Sequence, residues 1–189
     1  MTTIIMLGGN GYLGREISRQ WLAADSQVRI YTLSRSGKNS LQDERIINIA
    51  ADVNNLDETL AQLPVQADYV LNLVGAPAKS EEENQQINII PARATEQIAR
   101  ATGARAIGFV GGLLGPRAFL KTKKELAQQL RASGIRVEVV EPTLLYGAGR
   151  SDALARMVPI FKILGLFFRT MKPVRVEEVA AELIEKMTR

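Results

Sequence analysis

Apolar and polar positions follow two different periods along this chain, and the changeovers between them mark out the elements. Ile4-Ile5-Met6-Leu7 is continuously apolar and reads as a buried strand, after which Leu13, Ile17, Trp21 and Ala24 recur at helical spacing. Residues 28–33 form a second apolar run, residues 45–49 a short third, and residues 68–74 a fourth that closes on Gly75-Ala76-Pro77. Residues 56–63 predict a short helix ended by Pro64, because proline disfavours helical geometry at the residue before it. Residues 81–102 read as helical, with Ile87, Ala94, Ile98 and Ala101 on or near one face, and Pro91 predicts a kink or a break into two helices. Beyond it come a strand at 105–110, a helix at 119–132 with Gly134 as its cap, a strand at 135–140 and a last helix at 176–187.

Six strands alternating with helices predict an α/β fold: a single domain over 1–189 built on a doubly wound parallel sheet with helices on both faces. Residues 150–189 would form a short C-terminal extension on the substrate or partner side. Ligands of such sheets sit beyond the carboxyl ends of the strands. The unusual clusters of this chain fall at those ends: the loop from Gly8 to Gly14, Ser34-Arg35, Asp52-Val53, Val74-Gly75, Gly111-Gly112 and Pro142-Thr143.

The loop after the first strand, Gly8-Gly9-Asn10-Gly11-Tyr12-Leu13-Gly14, carries glycines that permit a tight turn, close approach of backbone to a pyrophosphate and close packing of helix on strand. The helix it opens directs free N–H groups at an anion. An acidic residue at the end of the second strand would accept from the ribose hydroxyls of NAD; here the strand ends in Leu33-Ser34-Arg35-Ser36-Gly37-Lys38. Arg35 lies about 20 residues past the last glycine, where the acid is expected, and a guanidinium there can hold a phosphate and stack on adenine. Ser34, Ser36 and Lys38 supplement it, so NADP(H) is favoured over NAD(H), the alternative being that Arg35 is a solvated loop cation. Asp52 reads either as the acceptor for the adenine amino group or as a turn aspartate.

Composition removes whole classes of chemistry. The chain has no cysteine and no histidine, which excludes disulfides, thiolate metal sites and every cysteine- or histidine-based catalytic device, and no metal site is expected. Its net charge of +4 is spread over scattered cations with only 5% aromatics, so no nucleic-acid face is expected. With no export signal or membrane-spanning run, a cytoplasmic location is expected. The apolar stretch 157–168 contains Pro159, Lys162 and Gly165 and reads as a buried or groove-lining helix, with a peripheral membrane contact as the alternative.

The glycine loop, Ser34-Arg35-Ser36-Gly37-Lys38, Asp52-Val53, Leu71-Asn72-Leu73-Val74-Gly75, Asn88 and Glu141-Pro142-Thr143-Leu144-Leu145-Tyr146-Gly147 together resemble an atypical short-chain dehydrogenase/reductase of the NAD(P)-binding Rossmann superfamily. The wording is most similar to the branch that includes complex I accessory-subunit-like and ubiquinone-biosynthesis-associated proteins. The resemblance implies cofactor contacts at Gly8, Asn10, Gly11, Tyr12, Leu13, Gly14, Val53, Val74, Gly75, Pro142 and Thr143 as well as at the residues argued above. It also implies a catalytic Tyr and a Lys four residues on, where this chain has Phe119 and Lys123; the assisting serine is replaced by Gly111-Gly112. Lys123 then reads as a nicotinamide-ribose ligand or as one of the exposed cations with Lys121 and Lys124. Tyr146 matches a structural turn better than a substitute acid. Two functions follow: a reductase of quinone, flavin or carbonyl acceptors working without the usual tyrosine, or a non-catalytic NADP(H)-binding redox sensor or scaffold. The substrate, the protein partner and the oligomeric state are not specified by the sequence. Met157, Ile160, Phe161 and Phe167 are expected to line a small or open substrate pocket.

Overall fold

The structure, a computed structural model, describes residues 1–148 and 172–189. Six parallel strands, β1 (Thr3–Leu7), β2 (Arg29–Ser34), β3 (Ile46–Ala50), β4 (Tyr69–Asn72), β5 (Ala106–Val110) and β6 (Arg136–Val140), pair in the order β3-β2-β1-β4-β5-β6. The chain runs outward from β1 to β3, returns to β4 on the other side of β1, and runs outward again to β6. That reversal opens a crevice at the carboxyl ends of β1 and β4. The doubly wound parallel sheet expected from the hydrophobic pattern is the fold observed.

Helices α1 (Tyr12–Ala24) and α6 (Val176–Thr188) cover one face of the sheet; α2 (Leu56–Leu60), α4 (Ile90–Ala101) and α5 (Arg117–Ala132) cover the other. Within β1, Ile4 and Met6 pack toward α1 and α6, while Ile5 and Leu7 pack toward α4 and α5. Burial on both sides explains why this strand is written as an unbroken apolar run. Trp21 of α1 stacks on Tyr69 of β4 with ring centroids 6.0 Å apart. The closing helix α6 seats Val179, Leu183 and Met187 in that same core, as its periodicity predicted.

The differences from the sequence reading have local causes. β4 ends at Asn72, two residues early: Leu73 N–H still reaches the Leu7 carbonyl (2.9 Å), but Asn72 Oδ1 accepts from Val74 N–H (3.0 Å) and turns the chain out of the sheet. α2 stops at Leu60, and its continuation tightens into three-residue bonds, Gln62 to Thr59 and Leu63 to Leu60, before Pro64. The break into two helices expected at Pro91 is present, with Pro91 in the first turn of the second. Between the short α3 (Glu81–Asn84) and α4 lies a π-helical turn, Gln85–Ile89, in which Ile90 N–H bonds to the Gln85 carbonyl five residues back. The wider turn relieves the clash that a proline ring makes with the carbonyl four residues before it. Gly134 takes φ +83° just past the C-cap of α5, as expected. A two-residue parallel pair, β7 (Leu145–Tyr146) with β8 (Val174–Arg175), is too short for periodicity to reveal. The stretch 157–168, with its membrane and pocket readings, lies outside the described residues.

Candidate functional site

The loop between β1 and α1 is built by contact. Gly11 N–H bonds to the Gly8 carbonyl (2.9 Å) and Gly8 N–H to the Leu33 carbonyl of β2 (3.0 Å). A Cβ on Gly14 would lie 2.4 Å from the Gly9 carbonyl oxygen, so α1 starts directly on the loop only because residue 14 has no side chain. Gly11 is the N-cap of α1 and makes no side-chain capping bond, so the first turn opens on backbone alone. This is the arrangement that binds a phosphate.

Asn10 ties this loop to the end of β2. Its Nδ2 donates to Ser34 Oγ (2.8 Å) and to the Lys38 carbonyl (2.5 Å), while Arg15 Nη1 holds the Asn10 carbonyl (2.9 Å). Ser34 Oγ also accepts from Gly37 N–H (3.1 Å). With both lone pairs engaged, the Ser34 hydroxyl keeps its own hydrogen to donate outward. Arg35, Ser36 and Lys38 are exposed on the same short loop, and no carboxylate stands among residues 34–38. Asn10 Oδ1 is buried with no partner among the described residues.

A cavity of about 320 Å³ opens beside this loop, at the low end of small-molecule sites. Gly8, Ser34, Arg35, Asp52, Val53 and Val74, all expected from the sequence, line it together. Asp52 is both a turn aspartate and a cavity residue: Asn54 N–H (3.0 Å) and Asn54 Nδ2 (2.7 Å) donate to its Oδ1 and hold its carboxyl below the usual range. Asn54, Gln86, Ile87 and Pro91 also line it and were not expected as site residues. The last three come from the π-helical turn and the helix it feeds, so no simple period points to them.

Behind Val74 lies Lys123. The residue is 4% exposed, whereas Lys121 and Lys124 are exposed, which corrects the reading of Lys123 as one of three solvated cations. The reason lies in helical spacing: Lys123, Leu126 and Leu130 share the inner face of α5. Lys123 Nζ donates to the Val74 carbonyl (2.9 Å) and sits over the rings of Phe109 (4.6 Å) and Phe119 (6.0 Å). Burial brings its pKa down to about 8. Asn88 braces the same corner, accepting from Ala76 N–H (3.2 Å) and donating to the Ala76 carbonyl (2.9 Å). A Cβ on Gly75 would lie 2.5 Å from Nζ and 2.7 Å from Asn88 Oδ1, so glycine is required there, at φ +139°.

The remaining expected positions lie at the far side of this crevice or serve the framework. The Pro142 carbonyl accepts from Leu113 N–H (3.1 Å), and the Thr143 hydroxyl donates to the Lys172 carbonyl (2.5 Å). Tyr12 places its hydroxyl on the Gly147 carbonyl (2.5 Å), so this loop residue also anchors the start of the C-terminal region. Tyr146 lies in β7, paired with Arg175. Phe119 packs beside Gly112 and Gly115 and presents no hydroxyl.

The profile of the NAD dependent epimerase/dehydratase family matches residues 4–111, the stretch that runs from β1 through β5 and contains the glycine loop. The chain belongs to that family. A search of curated proteins found no match. Among solved structures, this epimerase-family chain is similar in fold to the Bordetella bronchiseptica enzyme WbmH in complex with NAD+, at TM-score 0.75 and 12% identity over 100% of this chain and 72% of that one. An oxidoreductase of the short chain dehydrogenase/reductase family from Burkholderia thailandensis superposes at TM-score 0.72 with 20% identity over 98% and 85% of the two chains. A Rossmann-fold NAD(P)-binding family protein from Shigella flexneri gives TM-score 0.70 with 19% identity over 100% and 87%.

The residues present fit the dinucleotide that the family implies. The uncapped helix N-terminus suits a pyrophosphate, the cavity suits a nucleoside, and the buried Asn10 Oδ1 faces no protein donor among the described residues. No helix among the described residues is long and apolar enough to cross a membrane.

Proposed function

We propose that this protein binds NADP(H) in preference to NAD(H) and is a reductase of the atypical short-chain dehydrogenase/reductase kind, acting on a quinone, flavin or carbonyl acceptor. The observation that carries the cofactor choice is the end of β2. Ser34 accepts two hydrogen bonds and is left with a hydrogen to donate, Arg35 and Lys38 stand exposed beside it, and residues 34–38 carry no carboxylate to repel a 2′-phosphate. A phosphate monoester is an acceptor with two negative charges, which such a loop complements. Leu13 and Gly14 would hold the pyrophosphate by backbone N–H groups in the loop that Gly8, Gly11 and Tyr12 shape, Asp52, Val53 and Val74 the adenosine, and Lys123 and Gly75 the nicotinamide side. When bound, the nicotinamide supplies hydride.

The wording of the glycine loop and of Ser34 to Lys38 supports membership of the complex I accessory-subunit-like and ubiquinone-biosynthesis-associated branch, and a cytoplasmic enzyme fits its composition. The test is NADPH oxidation with quinones, flavins and aldehydes in turn, with Arg35→Ala beside wild type. Turnover that prefers NADPH and loses the preference in Arg35→Ala supports the reading; turnover with NADH alone overturns it.

A second reading is favoured by Phe119 and by Gly111-Gly112, which leave the usual acid and its helper without hydroxyls. On that reading the protein is a non-catalytic NADP(H)-binding sensor or scaffold whose bound nucleotide stabilises the fold. Tight NADPH binding with no turnover across the whole acceptor panel distinguishes it from the first.

A further inference from the structure

At the corner where β4, β5 and α5 meet, the described residues include one buried ionisable side chain, and the positions that would carry hydroxyls are without them. Phe119 carries no hydroxyl, and Gly111 and Gly112 carry no side chain. Thr122 offers a hydroxyl that receives a hydrogen bond from Asn84 Nδ2 (3.4 Å) and has no ionisation near neutrality. Asn88 spends both side-chain atoms on Ala76 and on Asn84. Lys123 remains. Its ammonium has three N–H bonds, one of which goes to the Val74 carbonyl, and the Phe109 and Phe119 rings lie against it.

We propose that Lys123 is the proton donor of this site, delivering a proton from Nζ to the oxygen of a small ketone or aldehyde. The inference deepens the reductase reading above and rests on its NADP(H) site. NADPH supplies the hydride that forms the new C–H bond at the carbonyl carbon. The π electron pair of the carbonyl takes the Nζ proton as the new O–H bond. The products are the alcohol, NADP+ and a neutral amine, which recovers its proton from water.

Two features suit Lys123 to this task. Gly75, an exposed residue, lies directly against Nζ: a Cβ there would sit 2.5 Å from the ammonium. The charge is held loosely, because no carboxylate pairs with the ammonium among the described residues. β4 and β5 bring Asn72 and Phe109 to the neighbourhood, and the π-helical turn brings Asn88. On α5 itself Lys121 and Lys124 are exposed, Lys121 lying 3.8 Å from Glu125. On the helices before β5, Glu83 accepts from Lys79 N–H, and Arg93 is exposed. Glu141, beside Gly111, is exposed as well. Burial alone lowers the pKa of Lys123 to about 8, so the group is charged at neutral pH yet tolerates becoming neutral.

The experiment compares wild type with Lys123→Arg, which keeps a cation and its donors but cannot release a proton near neutrality. Three quantities are read: NADPH affinity by calorimetry, reduction of 4-nitrobenzaldehyde by NADPH against pH, and the pH titration of lysine Cε resonances in selectively 13C-labelled protein. The expected result is one lysine with a midpoint near 8, absent in Lys123→Arg, and a wild-type kcat that falls above that same midpoint. Lys123→Arg is expected to bind NADPH within a few-fold of wild type while kcat drops by about 10²–10⁴-fold, the usual range for a lost general acid. Adding Phe119→Tyr to Lys123→Arg supplies a phenol one helical turn away and is expected to recover part of kcat. A Lys123→Arg enzyme that retains kcat with a flat pH profile overturns the proposal and leaves lysine a positioning residue. Tight NADPH binding with no aldehyde reduction by wild type also overturns it, and absence of NADPH binding overturns the reading beneath it.

Discussion

Lys123→Met should make this protein more stable at neutral pH, which is the reverse of what removing a buried hydrogen-bonded side chain ordinarily does. Burial lowers the Lys123 pKa from 10.5 to about 8. At about 1.4 kcal/mol per unit, keeping the ammonium protonated in the folded state costs about 3 kcal/mol below pH 8. Methionine of similar length fills the space beside Phe109 and Phe119 without that cost, but leaves the Val74 carbonyl short of a donor, a loss of about 1 kcal/mol. The net expectation is about 2 kcal/mol of added stability, or roughly 4–8 °C in Tm for a chain of this size. The sign with pH follows from proton binding. Between the folded pKa of about 8 and the unfolded value of 10.5 the unfolded chain binds the extra proton, so wild-type stability gains about 1.4 kcal/mol per unit as pH rises through that window. The advantage of Lys123→Met should therefore be full at pH 7 and shrink steadily toward pH 10. Urea denaturation of both proteins at pH 7, 8.5 and 10 measures it. A variant less stable than wild type at pH 7, or a difference that does not change with pH, would refute the reasoning.

Asn10→Ala breaks the two bonds that hold the end of β2 to the glycine loop; it should cost about 1 kcal/mol of stability and reduce the preference for NADPH over NADH, read by denaturation and by parallel titrations. Gly14→Ala drives a methyl group against the Gly9 carbonyl and should destabilise by about 2 kcal/mol or more while weakening nucleotide binding, measured by thermal melts with and without NADPH. Pro91→Ala permits the π-helical turn to relax to an α-helix and shifts Gln86 and Ile87 in the cavity wall; the affinities for NADPH and NADH should fall together by roughly 1 kcal/mol, about fivefold, because both share the adenosine half.

The fold was legible because its central strands, β1, β4 and β5, are buried on both faces. Ile4 to Leu7 could only be a central strand, and the glycines after it left a short list of turns. The ends of the strands, Ser34-Arg35, Asp52-Val53 and Val74, were legible because polar and glycine residues cluster where the apolar runs end, while single ones such as Thr32 and Gly108 sit inside strands. What stayed hidden depends on single side chains acting across distance. Asn72 bends its own backbone out of β4, Asn10 reaches 28 residues along the chain to Lys38, and Pro91 changes the pitch of the turn before it. None of these leaves a periodic trace. The state of Lys123 was open for a related reason, since Lys121, Lys123 and Lys124 are alike in sequence and only the orientation of α5 separates the buried one from the others.

The central claim is a dinucleotide site that reads a 2′-phosphate, and calorimetric titration of wild type and Arg35→Ala with NADPH and NADH tests it most directly. Wild type is expected to bind NADPH more tightly than NADH, and Arg35→Ala to remove most of that preference, about 1–3 kcal/mol for a charge-assisted phosphate contact. Equal affinity of wild type for the two nucleotides, or no binding of either, would contradict the account.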